Sequence, residues 1–521
     1  MPRGQFRSPD RVAQSNRQRP DLLNMNEIKL RRDWYPVVAL SRPGSFPISR
    51  QLAMVLALAV LLFALNLYAP AHPTVLERVL ASAIIALAAL PLFIWRLGID
   101  RNIPFMPFVA GVFIAHFALP IFVLERYSQG AFGAVLSDQA ITTALFFSLI
   151  GLIFLFAGYY GPAHLLVERF VPRAKLAWTD TRALKNWAFV FGAVGVVVWF
   201  GSLSMSLPDQ FEQFAAFGSD LWLVAIAILF GLQLAGNLGI AGKLVLWAVL
   251  VPGRFAFGII TGATAQGMVV GVLLVALYAS VARKIPWGLI ALGALVFFIV
   301  RPLQSPFRAA TWQGGSMQQA STSDKFGLFS DLVSRTATAT DDPRTRNHFV
   351  QFAMHRLSQI SIFAEVLRDT PEHVPYWNGE TYRPLMFKMI PRLVYADKPV
   401  EMSGSNFGHR YGFISVQNDS TVINLPQMVE LYANFGTVGL VFGMIAIGVL
   451  YRILFAVFVH PAMGFGGVIA AAYICTKLID IGSGTSLVFG GLPWILCFIA
   501  LIHLVMSASV FMRQPIAAEE H

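Results

Sequence analysis

The 521-residue chain is 56% hydrophobic and only 13% charged, with a mean hydropathy of +0.62, whereas soluble domains carry about 25% charged residues. That balance excludes an ordinary water-soluble enzyme. The net charge of +11 would suit a nucleic-acid partner in a soluble chain, but among long apolar runs the position of the charge outweighs its sum, and no nucleic acid is expected.

Residues 1–50 hold ten basic and four acidic side chains with little apolar periodicity, which reads as a basic cytosolic tail beside anionic lipid heads. The first apolar run starts near Gln51, beyond the usual signal-peptide window, so the first span is expected to stay as an anchor. Runs long enough to cross about 30 Å at 1.5 Å per residue fall near 51–69, 79–95, 105–125, 140–160, 187–205, 220–236, 239–254, 257–281 and 286–301, then 433–456, 463–482 and 490–512. The expected fold is an all-α polytopic membrane protein of about twelve transmembrane helices with a large helical external cap. Nine spans lie in 51–301, an external segment in 302–432, three spans in 433–512 and a short tail in 513–521. Arg96 and Arg101, then Arg169 to Lys185, then Arg283 and Lys284, mark alternate loops as cytosolic and predict that both termini are too. Cys475 and Cys497 both sit in apolar runs, which gives neither a metal site nor a disulfide framework.

The external segment, 131 residues with twelve basic and twelve acidic side chains, is too long for a passive connector. Residues 313–342, rich in Ser, Thr, Gly and Gln, read as irregular. A single surface helix is expected over 346–368, where Phe349, Phe352, Leu357, Ile360, Phe363 and Leu367 follow a helical stripe.

Nine of the twelve basic residues in the segment are arginines, whose planar fork grips phosphate through paired hydrogen bonds. Arg254, in the seventh span, is expensive to strand in hydrocarbon and is expected near the outer boundary, as a substrate clamp, a structural partner or an interface anchor. The most organised stretch runs through Pro391-Arg392-Leu393-Val394-Tyr395-Ala396-Asp397-Lys398-Pro399, passes His409-Arg410, and ends on Glu430-Leu431-Tyr432-Ala433-Asn434-Phe435-Gly436. His409 beside Arg410 is a candidate base next to a polyanion clamp. Glu430 is an alternative base, an orienting carboxylate or a helix cap. His355-Arg356 on the surface helix is a second candidate pair for a lipid-linked headgroup. Lys477 and Asp480, three residues apart in one span, are expected to neutralise each other.

In span organisation, in the large late outer loop, and in the stretches around 391–399 and 430–436, the chain resembles the O-antigen polymerase family and, more distantly, the O-antigen ligases. The resemblance implies a bacterial inner-membrane enzyme that joins polyisoprenyl-diphosphate-linked oligosaccharide repeat units at the outer face. It implies a metal-independent reaction without cofactor, in which arginines hold the diphosphate; that expectation carries onto Arg254, Arg392 and Arg410. A late outer-loop histidine activates the acceptor hydroxyl in the ligases, and His409 falls in that region, although Arg410 follows it where a small polar residue is usual. Implied partners are the lipid-linked oligosaccharide, a chain-length regulator and a flippase. A ligase using the same donor, and a transporter of lipid-linked oligosaccharide, are the alternatives.

Overall fold

The computed structural model describes residues 48–98, 100, 103–129, 134–174, 176, 178–204, 208–261, 264–312, 315–318, 320–339, 343–392, 394–395, 397–399, 401–415, 417, 421–458 and 464–511. The basic tail expected at 1–50 lies almost wholly outside the described residues, as does the tail at 513–521. Apart from one bridge between Gln129 and Val135, the regular elements among the described residues are helices.

The first half runs through α1 (Ile48–Tyr68), α2 (Val75–Arg96), α3 (Phe105–Val123), α4 (Asp138–Tyr160), α5 (Ala163–Phe170), α6 (Thr181–Ser204) and α7 (Asp209–Leu234). Then α8 (Ile240–Leu244) joins α9 (Val251–Ile260) through the π-helical turn Val245–Leu250, and α10 (Thr264–Ala282) and α11 (Trp287–Thr311) follow. A cap holds α12 (Thr322–Ala339), α13 (Pro343–Leu357), α14 (Ile360–Asp369), α15 (Arg383–Lys388) and α16 (Ser403–Arg410). The chain closes with α17 (Gln427–Phe458), α18 (Gly464–Leu478), α19 (Thr485–Phe489) and α20 (Leu492–Phe511). Among the described residues, nine helical stretches are long and apolar enough to cross a membrane, and Gly267–Ala282 and Gly464–Leu478 are shorter apolar helices. The chain is thus an all-α protein of the multi-pass membrane type.

Local chemistry sets the helix starts. Thr74 and Glu77 form a reciprocal capping box on α2, and the Tyr127 hydroxyl donates to the same Glu77 carboxylate at 3.0 Å, which satisfies the first-turn donors. Inside the bundle, α4 and α17 approach until backbones touch: a Cβ at Gly158 would meet the Ile445 carbonyl oxygen at 2.2 Å, and one at Gly448 the Leu155 oxygen at 2.3 Å. Such contacts replace hydrophobic drive where the solvent is itself apolar.

Four expectations are corrected. The seventh span runs on through Arg254 to Ile260 before the chain breaks, so that residue sits inside a helical run. Helix α11 passes the expected end at 301 and continues through Pro302 and Pro306 to Thr311. The supposedly irregular 313–342 contains α12, because the Ser321 hydroxyl accepts from the Asp324 amide at 3.2 Å and starts a helix despite the polar composition. The single helix expected over 346–368 is two, because the Gln359 amide donates to the His116 carbonyl at 2.9 Å instead of into a continuous helix. That break lets α14 bury Ile360 to Val366 against the bundle.

The motif Glu430 to Gly436 clasps the cap to the spans. The Asn434 side chain, fully buried, accepts from the Gly379 amide at 2.8 Å and donates to Thr381 Oγ1 and the Glu430 carbonyl, each at 2.8 Å. The Trp377 amide donates to the Ala433 carbonyl at 3.1 Å. At Gly436 the backbone turns to φ 63°, and a Cβ would lie 2.7 Å from the Tyr376 hydroxyl, so α17 kinks where the loop docks. Asn434→Ala, which strands the Gly379 donor, is expected to cost about 1–3 kcal/mol, read as a lowered thermal midpoint of the detergent-solubilised protein.

Candidate functional site: two cationic cavities under the cap

Helical periodicity brings residues three and four apart onto one face, and on the last turns of α11 that face carries Arg301, Gln304, Ser305 and Arg308. All four line a cavity of about 720 Å³, closed by His355 and Arg356 at the end of α13, by Ser358, Gln359, Ser361 and Ile362, and by the loop Val422 to Asn424. A 25-residue helix is longer than the roughly 20 residues needed to span hydrocarbon, which puts this face at the end of the span, where headgroups lie. Among the described residues the lining contains three arginines, one histidine and no carboxylate.

Arg301 donates to the Gln304 side-chain oxygen. Arg308 stacks 4.2 Å from the Trp312 ring, and Arg356 lies 6.0 Å from Phe352. Arg356 is close enough to repel both of the others. Three like charges around one space form a site of high positive potential, which an anion would relieve. His355 is exposed at the cavity edge, and desolvation by the wall behind it lowers its proton affinity below that of an ordinary imidazole. It is therefore neutral at neutral pH and able to accept a proton.

A second cavity of about 580 Å³ lies under the loop between α15 and α16, with Arg383, Lys388, Arg392 and Lys398 facing Glu380 and Glu401. Lys388 is ion-paired with Glu401 and donates to the Ser486 carbonyl at 3.0 Å.

The expected site residues therefore separate. His355 and Arg356 line the first cavity and Arg392 the second. Arg410 is a brace beside the second cavity: it stacks 4.2 Å from Trp377, donates to the Pro375 carbonyl at 2.8 Å and lies 3.8 Å from Glu380. Its neighbour His409 is half-buried on α16 and lines neither cavity. Glu430 is buried and accepts from the Thr485 amide at 2.6 Å, which satisfies the first amide of α19 from across the fold. Arg254 is 6% exposed, 5.9 Å from the Trp222 ring and beside Asp220, and it lines neither cavity. Lys477 pairs with Asp220 at 2.6 Å, where Asp480 was expected; Asp480 instead accepts from Ser483 at 2.7 Å and from the Gly482 amide. A loop after the eleventh span turns Asp480 off the helix that carries Lys477, so spacing of three no longer brings the two together.

Residues 177–506 match the model of a family described only as a domain of unknown function, DUF8712. The chain belongs to the DUF8712 family. The matched region begins just before α6 and takes in the cap, so DUF8712 covers both cavities apart from Gln129. No curated protein and no solved structure matches the chain.

Sequence reasoning counted Arg308 among the outer arginines with Arg301 at their edge, but it ended the ninth span between Arg301 and Pro302 and so did not join the two in one site. The signal was present as Arg301-x-x-Gln304-Ser305-x-x-Arg308, a polar face repeated at helical spacing. A residue it passed over is Glu365 on α14, 4% exposed, with no hydrogen-bond partner on Oε1; burial pushes its carboxyl up to about 7, against the smaller opposing pull of Arg368. The folded state then holds a proton that the unfolded state releases above about pH 4.5, so stability declines as pH rises from there to about 7. Glu365→Gln is expected to remove that slope and to raise the thermal midpoint at pH 8, measured against pH 5 on the same preparation.

Proposed function

We propose that the protein is a membrane glycosyltransferase that polymerises polyisoprenyl-diphosphate-linked oligosaccharide repeat units at the outer face of a bacterial inner membrane. The observation that carries the reading is the cavity of Arg301, Arg308 and Arg356 at the end of a span, with no carboxylate in its lining among the described residues. An anion with several oxygens, attached to a lipid, meets such a site from the bilayer. A mixed-sign cavity, in contrast, would suit a zwitterion or a neutral solute.

In the reaction, a hydroxyl of the incoming repeat unit attacks the anomeric carbon of the donor glycan. The new carbon–oxygen bond forms as the bond from that carbon to the diphosphate breaks, and the electron pair leaves on the lipid diphosphate. Arg301, Arg308 and Arg356 stabilise the charge that develops there. The hydroxyl proton passes to His355, which sits on the same cavity and is neutral before the reaction. This reading moves the base from His409 and Glu430 to His355 and moves the clamp from Arg254 to Arg301 and Arg308. Glu430 and Arg410 become positioning residues that hold the cap.

The test is incubation of the purified protein with a homogeneous polyisoprenyl-diphosphate repeat unit. A ladder of products is expected. A single transfer to a different acceptor would make it a ligase, and unchanged substrate in the presence of folded protein would end the transferase reading.

A further inference from the structure

The break between α13 and α14 is held from inside the bundle. Helix α3 carries a π-helical turn, Ile114–Ala118, in which the Leu119 amide reaches back five residues to the Ile114 carbonyl, so the regular ladder is already interrupted there. Pro120 adds to this. It stands four residues after His116, has no N–H to give the His116 carbonyl, and its ring crowds that carbonyl out of the helix line. The freed oxygen accepts from the Gln359 amide of the cap at 2.9 Å. The buried His116 ring donates through Nδ1 to the carbonyl of Leu357, the last residue of α13, one of the orphan acceptors that a helix C-terminus leaves. One residue of the bundle thus holds the chain on both sides of Ser358. The ring is closed in from behind as well, because a Cβ at Gly482 would stand 3.0 Å from His116 Nε2 and 3.3 Å from Asp480 Oδ1. Further back, Gln351 fastens α13 to the end of α3, accepting from the Glu125 amide at 2.9 Å and donating to the Val123 carbonyl at 2.8 Å. His355 and Arg356 lie between the two fastenings.

We infer that His116 and Pro120, neither of which lines the first cavity, are positioning residues for it: they fix the turn from Leu357 to Gln359 and so set where His355 and Arg356 stand against Arg301 and Arg308. A helix fastened only at Gln351 is free to roll about its axis. Rolling swings the ends of long side chains furthest, and a shift of about 1 Å in a reacting group is enough to cost a large part of a rate. Gln359 shares the dependence. It is buried, lines the cavity, and its side-chain oxygen has no partner among the described residues, so the His116 carbonyl at its amide is what anchors it. The effect on turnover rests on the transferase reading, whereas the effect on anion binding does not.

Pro120→Ala separates positioning from mere support. Alanine supplies the N–H that the helix lacks and is the far better helix former, so the thermal midpoint should hold or rise while the new donor competes with Gln359 for the His116 carbonyl. The measurements use the purified full chain in detergent, with inorganic diphosphate as the probe and Arg301→Gln with Arg308→Gln as the background that defines binding at this cavity. In Pro120→Ala, diphosphate affinity should fall by about three- to tenfold, the worth of one hydrogen bond. Its kcat on the repeat-unit substrate should fall on the order of 10²-fold with KM moving less. His116→Leu, which removes the ring donor, should act in the same direction. His116→Asn, which returns an amide N–H near the place of Nδ1, should stay within about threefold of the parent. A Pro120→Ala protein that binds diphosphate as the parent does would overturn the inference, and so would a His116→Asn protein as impaired as His116→Leu. A parent that binds no diphosphate at this cavity would overturn it too, since nothing would then be positioned. Absence of products from the parent, with the diphosphate affinities still in the expected order, would overturn the transferase reading alone.

Discussion

Arg301→Lys combined with Arg308→Lys is expected to lower turnover on the order of 10²–10³-fold, the scale set by removing preorganised donors from a developing anion. Both charges survive the change. What is lost is the planar fork that meets two oxygens of one phosphate, and both guanidinium side chains line the cavity. Binding of donor lipid should weaken less than turnover, because a lysine still attracts the ground-state anion. The variants are assayed at matched amounts of folded protein with saturating acceptor. Arg254→Lys separates this mechanism from the arrangement expected from sequence: Arg254 packs inside the bundle beside Asp220 and Trp222, so its replacement should lower thermal stability and leave turnover per folded molecule close to normal. Unchanged turnover in the Arg301 and Arg308 double variant, or a large loss confined to Arg254→Lys, would remove the clamp assigned here.

The helical membrane character was legible in the sequence because it depends on one-dimensional quantities, run length and charge density. The expected segments from 51–69 to 490–512 each meet a helix of the structure. Break points were less legible where a local signal competed with a longer one. Pro302 and Pro306 read as helix breakers, yet α11 runs on through both to Thr311. The Gln359 break between α13 and α14 depends on a carbonyl of α3, far away in sequence. The motif from Glu430 to Gly436 stood out for a good physical reason of a different kind: Asn434 and Gly436 satisfy and shape the loop that carries the second cavity. Residue type pointed to arginine and histidine chemistry in the cap. Which arginines share a space is decided by helix packing, and single-chain spacing reaches only as far as one helix face.

His355→Gln is expected to retain donor-lipid binding and lose about 10²-fold or more in turnover, the range of a positioned general base. The glutamine keeps the size and a hydrogen-bonding capacity but has no basic nitrogen. Because burial lowers the His355 proton affinity, the base is unprotonated through the neutral range. Activity should therefore hold on a plateau down through pH 7 and fall only as the pH drops below the ordinary imidazole range near 6.5. The variant should show no such acid limb in what activity it keeps. His355 is exposed at the cavity edge and Ala353 and Met354 carry the buried face of that turn, so the substitution should leave the stability within about 0.5 kcal/mol of the parent, as for surface changes generally. His409→Gln is the matched control: it lies on α16 outside both cavities, and its pH–rate profile should keep the acid limb. An acid limb that persists in His355→Gln and disappears in His409→Gln would return the base to His409 and require the acceptor to approach from the α16 side of the cap.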